Sequence, residues 1–314
     1  MRKMTLGVPL PQFLKELYHE ATEDDILNGA AVLGFFLTLA IFPAMILTMA
    51  VIPYLPIPNV DQAIMDLLRQ TLPADAANMF TSVVEEVTSE QRGGLLSFGA
   101  LATLWATSTG MYAVMQQLNI SYDVTEARGF VHARLVAIGL SMLFGVLVIG
   151  AFSMIVMGGV VQDWLGAQFG VSGWVLAFFA GLRWVIIVAA LLLGFSLIYY
   201  LAPNVKQKFA FVTPGSIVGV LLLMLSSLAF AWYAQRFADY SATYGSIGAV
   251  IALMMWLYIA GIAILIGSEI NALVEHHSPE GKDKGERAPG QPDGSGRAEE
   301  ARQRGPAPTR PLAH

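Results

Sequence analysis

Seven stretches of this chain carry no Asp, Glu, Lys or Arg: residues 26–60, 93–122, 135–162, 164–182, 184–205, 209–235 and 240–268. About 20 consecutive, mostly apolar residues are needed for one helix to cross the hydrocarbon core of a bilayer. Six of the seven stretches reach that length outright, and most are dense in Leu, Val, Ile, Ala and Phe. A soluble helix would show a charged face every turn or two. The strands of an outer-membrane barrel would alternate over roughly ten residues. Neither pattern is present. The chain therefore reads as an all-α membrane protein, a bundle of about six transmembrane helices.

Residues 10–23 place Leu10, Phe13, Leu14, Leu17 and Tyr18 between Lys15, Glu16, His19 and Glu20 at helical spacing. This predicts a short amphipathic helix within an N-terminal segment, 1–24, lying on the membrane surface or against the bundle. The transmembrane domain spans 25–275. Its first span, Asn28 to Ile52, contains Pro43, which frees a backbone carbonyl and kinks a helix. Prolines 53, 56 and 58 end that span, and the polar segment 54–94 reads as an extracytoplasmic hairpin of two amphipathic helices. Further spans are expected at Leu95–Leu118, Leu135–Val160, Trp184–Leu201, Val212–Gln235 and Ser246–Asn271. Residues 164–182, with four glycines, read as an outer-surface helix or as the start of a long, tilted fourth span; a seventh span is the less favoured alternative.

Charge sets the orientation. Lys and Arg in short loops mark the cytoplasmic side. The N-terminus, the 119–134 and 202–211 loops and the tail together carry fourteen, against three in the opposite segments. Both termini are thus expected in the cytoplasm, which requires an even number of spans. Residues 276–314 mix prolines, glycines and charges of both signs, and are expected to be a disordered cytoplasmic tail. The composition agrees with a membrane protein: 13% of residues are charged, against about 25% in soluble domains. There are no cysteines, so disulfides and thiolate sites are excluded. No cleavable signal peptide is recognised at the start, and the first span is expected to serve as the insertion signal.

Several ordered motifs follow one another along the chain. The first span reads Gly29-Ala30-Ala31, then Phe35-Phe36 and Phe42-Pro43. The second reads Trp105-Ala106-Thr107-Ser108-Thr109-Gly110, leading to Leu118-Asn119 and Tyr122-Asp123-Val124. Arg183-Trp184, Leu201-Ala202-Pro203-Asn204 and Pro214-Gly215 come next. The end reads Tyr244-Gly245-Ser246-Ile247-Gly248, Trp256-Leu257-Tyr258 and Gly267-Ser268-Glu269-Ile270-Asn271. From about residue 20 to 275 this set resembles the YihY/virulence factor BrkB family of bacterial inner-membrane proteins. Ala40 and Ser268 depart from the pattern, where many members have Ser and Ala. The resemblance implies a six-helix, multi-pass protein of the bacterial inner membrane. It brings no settled activity: members have carried virulence and serum-resistance labels, a transporter label, and a ribonuclease label that arose by misassignment.

Among individual residues, Arg183 is the sharpest. A charge at membrane depth costs about 2.5–3.5 kcal/mol by insertion scales, so Arg183 reads either as a contact to an anion or lipid headgroup on the outer side, or as an arginine snorkelling to the interface beside Trp184. Asp25 and Asn28 open the first span, Asn119 and Asp123 close the second, Asn204 closes the fourth, and Glu269 and Asn271 close the sixth. These could form the mouth of a pathway or a proton-coupled site; helix capping and interhelical hydrogen bonding is the preferred reading. Tyr240 and Tyr244 precede Gly245 and Gly248, where close helix packing is the expected role. Ala30-x-x-x-Gly34 and Gly215-x-x-x-Gly219 would likewise let helices approach.

No soluble-enzyme chemistry is legible. The five histidines show no zinc spacing, and the chain has no phosphate loop, nucleophile elbow or dinucleotide fingerprint. No catalytic residue, metal or cofactor is expected, and no nucleic-acid partner. Membrane lipids are the expected partners, with a second copy of the chain or an envelope protein as further candidates. The leading reading is a transporter of an unidentified substrate, perceived as lipid or envelope-related. The alternative is a structural or scaffolding protein that supports envelope integrity, and a membrane-bound hydrolase is remote. The topology is testable by fusion. A reporter after Asn271 is expected in the cytoplasm and one inserted in 60–92 outside; a C-terminal reporter active only in the periplasm would contradict the six-span arrangement.

Overall fold

The structure, a computed structural model, describes residues 8–51, 93–169, 173–236, 246–278 and 282–292. Seven helices lie among them: α1 (Leu10–Glu23), α2 (Ile26–Val51), α3 (Gly93–Ser121), α4 (Phe130–Phe169), α5 (Gly173–Leu201), α6 (Pro214–Arg236) and α7 (Ser246–His276). Two short strands follow, β1 (Glu286–Ala288) and β2 (Gln291–Pro292), paired antiparallel. Long helices are the expected outcome for such apolar runs, because a helix satisfies its backbone polar groups internally where lipid cannot.

Four segments are long and apolar enough to cross a membrane: Phe130–Ala151, Gly173–Leu201, Pro214–Tyr233 and Val250–His276. A fifth arises if α1 and the Ile26–Ile41 part of α2, bent by 58° from one another, count as one span. The first and second expected spans are helices of 26 and 29 residues, α2 and α3. Large apolar side chains face outward along these helices, including Trp105, Val146, Trp174, Phe178, Leu225 and Trp232, all more than half exposed. Soluble monomers rarely present apolar surface on that scale. The chain is an all-α, multi-pass membrane protein.

Residues 164–182 do not form a separate surface helix. Residues 164–169 continue α4 and 173–182 begin α5. The 54–94 hairpin falls outside the described residues except for its last two, which open α3. Residues 282–292 depart from the disordered tail expected there. They fold because Lys282 is fully buried and Pro289-Gly290 supplies a turn, with Gly290 at φ 73. A glycine takes that left-handed conformation without strain.

The described residues divide into two compact units. The first holds residues 1–26, 114–222 and 263–314. In it, α1 is buried at Phe13, which with Val8 packs on Ile270 and Leu273 of α7, flanked by Leu17, Val218 and Ile266. Leu10, Leu14 and Tyr18 of the same helix stay exposed, so the Phe13 side meets the bundle and the rest of the apolar face does not. Tyr199 of α5 donates a hydrogen bond to the Ile264 carbonyl (2.8 Å), and α6 approaches α7 at Gly215 and Gly267. A methyl on Gly215 would run into the Gly267 carbonyl and lie 2.6 Å from Asn271 Cγ.

The second unit holds residues 27–113 and 223–262. Here α2 meets α7 through small residues. Gly34 lies beside the Tyr258 backbone, and a Cβ on Gly261 would come within 3.2 Å of the Ala30 backbone. Trp256 donates to the Ser227 hydroxyl at 3.2 Å, linking α7 and α6. The small-residue pairs at 30/34 and 215/219 therefore do bring helices together, where dispersion contacts replace the absent hydrophobic drive.

Overpacking a fitted interface costs about 1–3 kcal/mol. Gly215→Ala is expected to lower membrane abundance and the unfolding temperature in detergent. Gly145→Ala, where a methyl would meet nothing within 4 Å, should change neither. Equal behaviour of the two variants would contradict the packing described.

Candidate functional site

The first unit gathers most of the polar residues singled out along the sequence. α3 ends in a left-handed turn: Asp123 has φ 53, its N–H donates to the Ile120 carbonyl (2.8 Å), and the Val124 N–H donates to the Asn119 carbonyl (3.0 Å). This is the paired closure that satisfies a helix's last carbonyls. Asp25 plays the same backbone part between α1 and α2, at φ 51. Aspartate is among the few residues other than glycine that adopt this conformation readily.

Asn119 and Asn204, both buried, cross-link the ends of α3 and α5. Asn119 Oδ1 accepts the Asn204 N–H (2.6 Å), and its Nδ2 donates to Glu126 (3.3 Å). Asn204 Nδ2 donates to the Thr125 carbonyl (3.1 Å). Glu126 receives two hydrogen bonds from the Arg128 guanidinium, both at 2.7 Å. Arg128 also donates to the carbonyls of Leu201 (3.3 Å) and Ala202 (2.6 Å), which α5 leaves exposed at its end. Burial works to raise the Glu126 carboxyl, but the hydrogen bonds and charge of Arg128 outweigh it and hold the group below the ordinary carboxylate value.

The β1–β2 hairpin adds residues that the sequence reading missed. Arg287 donates to the Asn204 carbonyl (3.3 Å) and side chain (3.0 Å), and Lys206 N–H donates to the Arg287 carbonyl (2.7 Å). Lys282 donates to the Lys206 carbonyl (3.0 Å) and pairs with Glu275, its ammonium 5.9 Å from the centre of the Tyr122 ring. Lys284 pairs with Glu20 of α1 at 2.5 Å. Burial would lower the Lys284 ammonium, but the Glu20 hydrogen bond and charge raise it. Burial, then the charges of Glu275 and Glu269, push the Tyr122 hydroxyl up. The Pro289-Gly290 pair was the readable signal for this hairpin. The mixed charge around it obscured that signal.

Glu269 is 1% exposed, deep in the unit, and hydrogen-bonds to Ser121 and to Asp24. Its Oε1 has no partner among the described residues. Asn271 caps α6, its Oδ1 accepting the Gly215 N–H at 2.8 Å. Asn28, exposed at the start of α2, belongs to the second unit. Arg183 is the eleventh residue of α5 rather than the residue before a span. It is partly buried, and its Nε has no partner among the described residues. Tyr240 and Tyr244, expected to serve close helix packing, lie outside the described residues.

Two cavities adjoin this cluster. One, of about 570 Å³, is bounded by Tyr122, Ser196, Tyr199, Gln207, Asn271 and Glu275 among others. The second, of about 670 Å³, is bounded by Arg128, His132, Tyr200, Asn204, Lys206 and Arg287 among others. No group of three or more His, Asp or Glu side chains able to hold a metal occurs among the described residues.

The sequence profile of the virulence factor BrkB family matches residues 17–291, which takes in the hairpin. The chain is 37% identical over 262 residues to the protein named ribonuclease-like YfkH of Bacillus subtilis (strain 168), covering 83% of this chain and 94% of that one. It is 26% identical over 280 residues to the UPF0761 membrane protein VP0125 of Vibrio parahaemolyticus, covering 85% and 84%. A UPF0761 membrane protein of Alkalilimnicola ehrlichii is 23% identical over 292 residues, 88% of this chain and 60% of that longer protein. No solved structure matches the chain.

A disordered tail over 276–314, as the composition predicts, would make truncation after Ser278 silent. With the hairpin's contacts in view, the same truncation removes the partners of Glu275, Glu20 and Asn204. It is now expected to lower membrane abundance and the unfolding temperature, and truncation after Pro292 to spare both. Wild-type behaviour of the shorter chain would show that the hairpin contributes nothing to the fold.

Proposed function

Because the chain belongs to the virulence factor BrkB family of membrane proteins, we propose that it is a transporter that moves a lipid or other amphiphilic envelope component. The observation that carries this reading is the cavity of about 570 Å³ among α5, α6 and α7. Its wall includes Ser196, more than one turn inside the end of α5, and Asn271 of α7. Ser196 donates to the Phe211 carbonyl and Asn271 accepts from Gly215, so the wall is held in place by protein partners, and polar groups set among apolar helices around a cavity are how the sites of transporters are built. Its volume lies within the range of about 300–1,000 Å³ common to ligand sites. By the charge of the loops, the cavity opens on the cytoplasmic side of the inner membrane.

The scaffolding alternative draws on a different observation. Asn119, Asn204, Glu126 and Arg128 bind helix ends to each other with few donors left over, as a purely structural joint would. A membrane-bound hydrolase is the weakest reading. Tyr122, Glu275 and Lys282 engage one another and leave no acid–base pair poised for a substrate. The ribonuclease in the name of the Bacillus relative is therefore not carried to this chain.

Proteoliposomes containing headgroup-labelled phosphatidylglycerol distinguish the two main readings. The protein is expected to accelerate movement of the label between leaflets. Ala210→Trp, which fills the cavity from an exposed wall position without removing a hydrogen-bonding side chain, should abolish that acceleration at normal abundance. A rate equal to that of protein-free liposomes would contradict lipid transport.

A further inference from the structure

The cavity of about 670 Å³ is distinct in its charge. Eleven residues line it and none is acidic, while Arg128, His132, Lys206 and Arg287 bring four basic side chains to its wall. Arg128 is neutralised by Glu126. Arg287 is different. Its guanidinium donates to an uncharged residue, Asn204, at the carbonyl and the side-chain oxygen. No carboxylate pairs with Arg287 or Lys206 among the described residues.

These two cations are also placed, not merely present. The Arg287 carbonyl accepts the Lys206 N–H at 2.7 Å, so the hairpin and the loop after α5 are joined by main chain at that point. Asn204, which orients the guanidinium, is itself 8% exposed and held by Asn119 and Thr125. The fork of Arg287 is thus fixed from behind, on a cavity wall that it shares with the exposed Lys206. A general excess of Lys and Arg in one set of loops explains why cations lie at this end. It does not explain a guanidinium held by an amide while every acidic group is kept off the cavity wall.

A planar guanidinium with an ammonium on the same wall suits the oxygens of a phosphate group. The apolar setting indicates what the phosphate is attached to. Leu201 forms part of the wall, and Phe130, Val131 and Leu135, at the start of α4 around His132, are 79%, 69% and 61% exposed. An acyl chain would find apolar surface directly beside the cations.

We propose that this cavity is a phosphate-binding site formed by Arg287 and Lys206, with His132 at its rim, and that it receives the headgroup of an anionic phospholipid. The proposal rests on the transport reading only for the fate of the lipid. Binding itself is measured without transport.

The test uses the purified full chain in a neutral detergent, titrated calorimetrically with two probes: a short-chain phosphatidylglycerol and inorganic phosphate. Saturable binding of the phosphatidylglycerol is expected. Hydrogen bonds from charged groups are strong enough that losing one should raise Kd by about tenfold. Arg287→Gln and Lys206→Gln should each do so, while Lys15→Gln, an equal loss of charge on α1, should not. Arg287→Lys, which keeps the charge, controls for a variant that fails to fold, and monodispersity on size exclusion is required of each. Competition by inorganic phosphate supports the shared site. Binding of phosphate as tightly as of the lipid supports the site but assigns it to the free anion. No saturable binding of either probe, or unchanged Kd in both Gln variants, would overturn the proposal. Loss of binding in these variants while wild-type proteoliposomes show no lipid movement would remove the transport reading and leave the site standing.

Discussion

A helix that leaves a membrane must give its last carbonyls to something; α3 gives them to its own backbone, and α5 gives them to side chains. The end of α5 shows the principle. The carbonyls of Leu201 and Ala202 accept from Arg128, while Asn204 donates its N–H to Asn119 and accepts from Arg287 on its carbonyl and side-chain oxygens. A buried polar group left unmet costs about 1–3 kcal/mol. Each residue of the cluster therefore constrains the next, and the loop after α3, the loop after α5 and the β1–β2 hairpin are fixed together. Both cavities border this joint.

The spans were legible because lipid imposes one requirement on every helix, an apolar stretch of sufficient length, and charge marks where it stops. The placement of α1 was only half legible. Its spacing identified an apolar face with Phe13 at the centre, but a face cannot say whether it meets lipid or protein; Ile270 and Leu273 answer that. The division of residues 164–182 between α4 and α5 was hidden because glycine and polar residues there suit a helix end and a surface helix equally.

The candidate site was visible in fragments. Asn119, Asn204, Glu269 and Asn271 stood out because polar residues are rare in such a chain. The groups they bind did not, since Glu126, Arg128, Lys282 and Arg287 sit in loops where charge is ordinary. Only long-range contacts, such as the 83 residues of separation between Arg287 and Asn204, turn these loop charges into buried partners. Asp25 and Asp123 illustrate the converse. Their carboxylates attracted attention, and the backbone shows a local reason for them in their left-handed turns.

The central claim is that polar walls at this end of the helices enclose space for a substrate rather than forming a closed joint. The most direct measurement is an electron cryo-microscopy map of the full chain in nanodiscs containing phosphatidylglycerol. The account expects an open space between Ser196 and Asn271, and lipid density with its headgroup against Arg287 and Lys206. A dry, continuous contact of α5, α6 and α7 across Ser196 and Asn271, with no lipid at the hairpin, would contradict it.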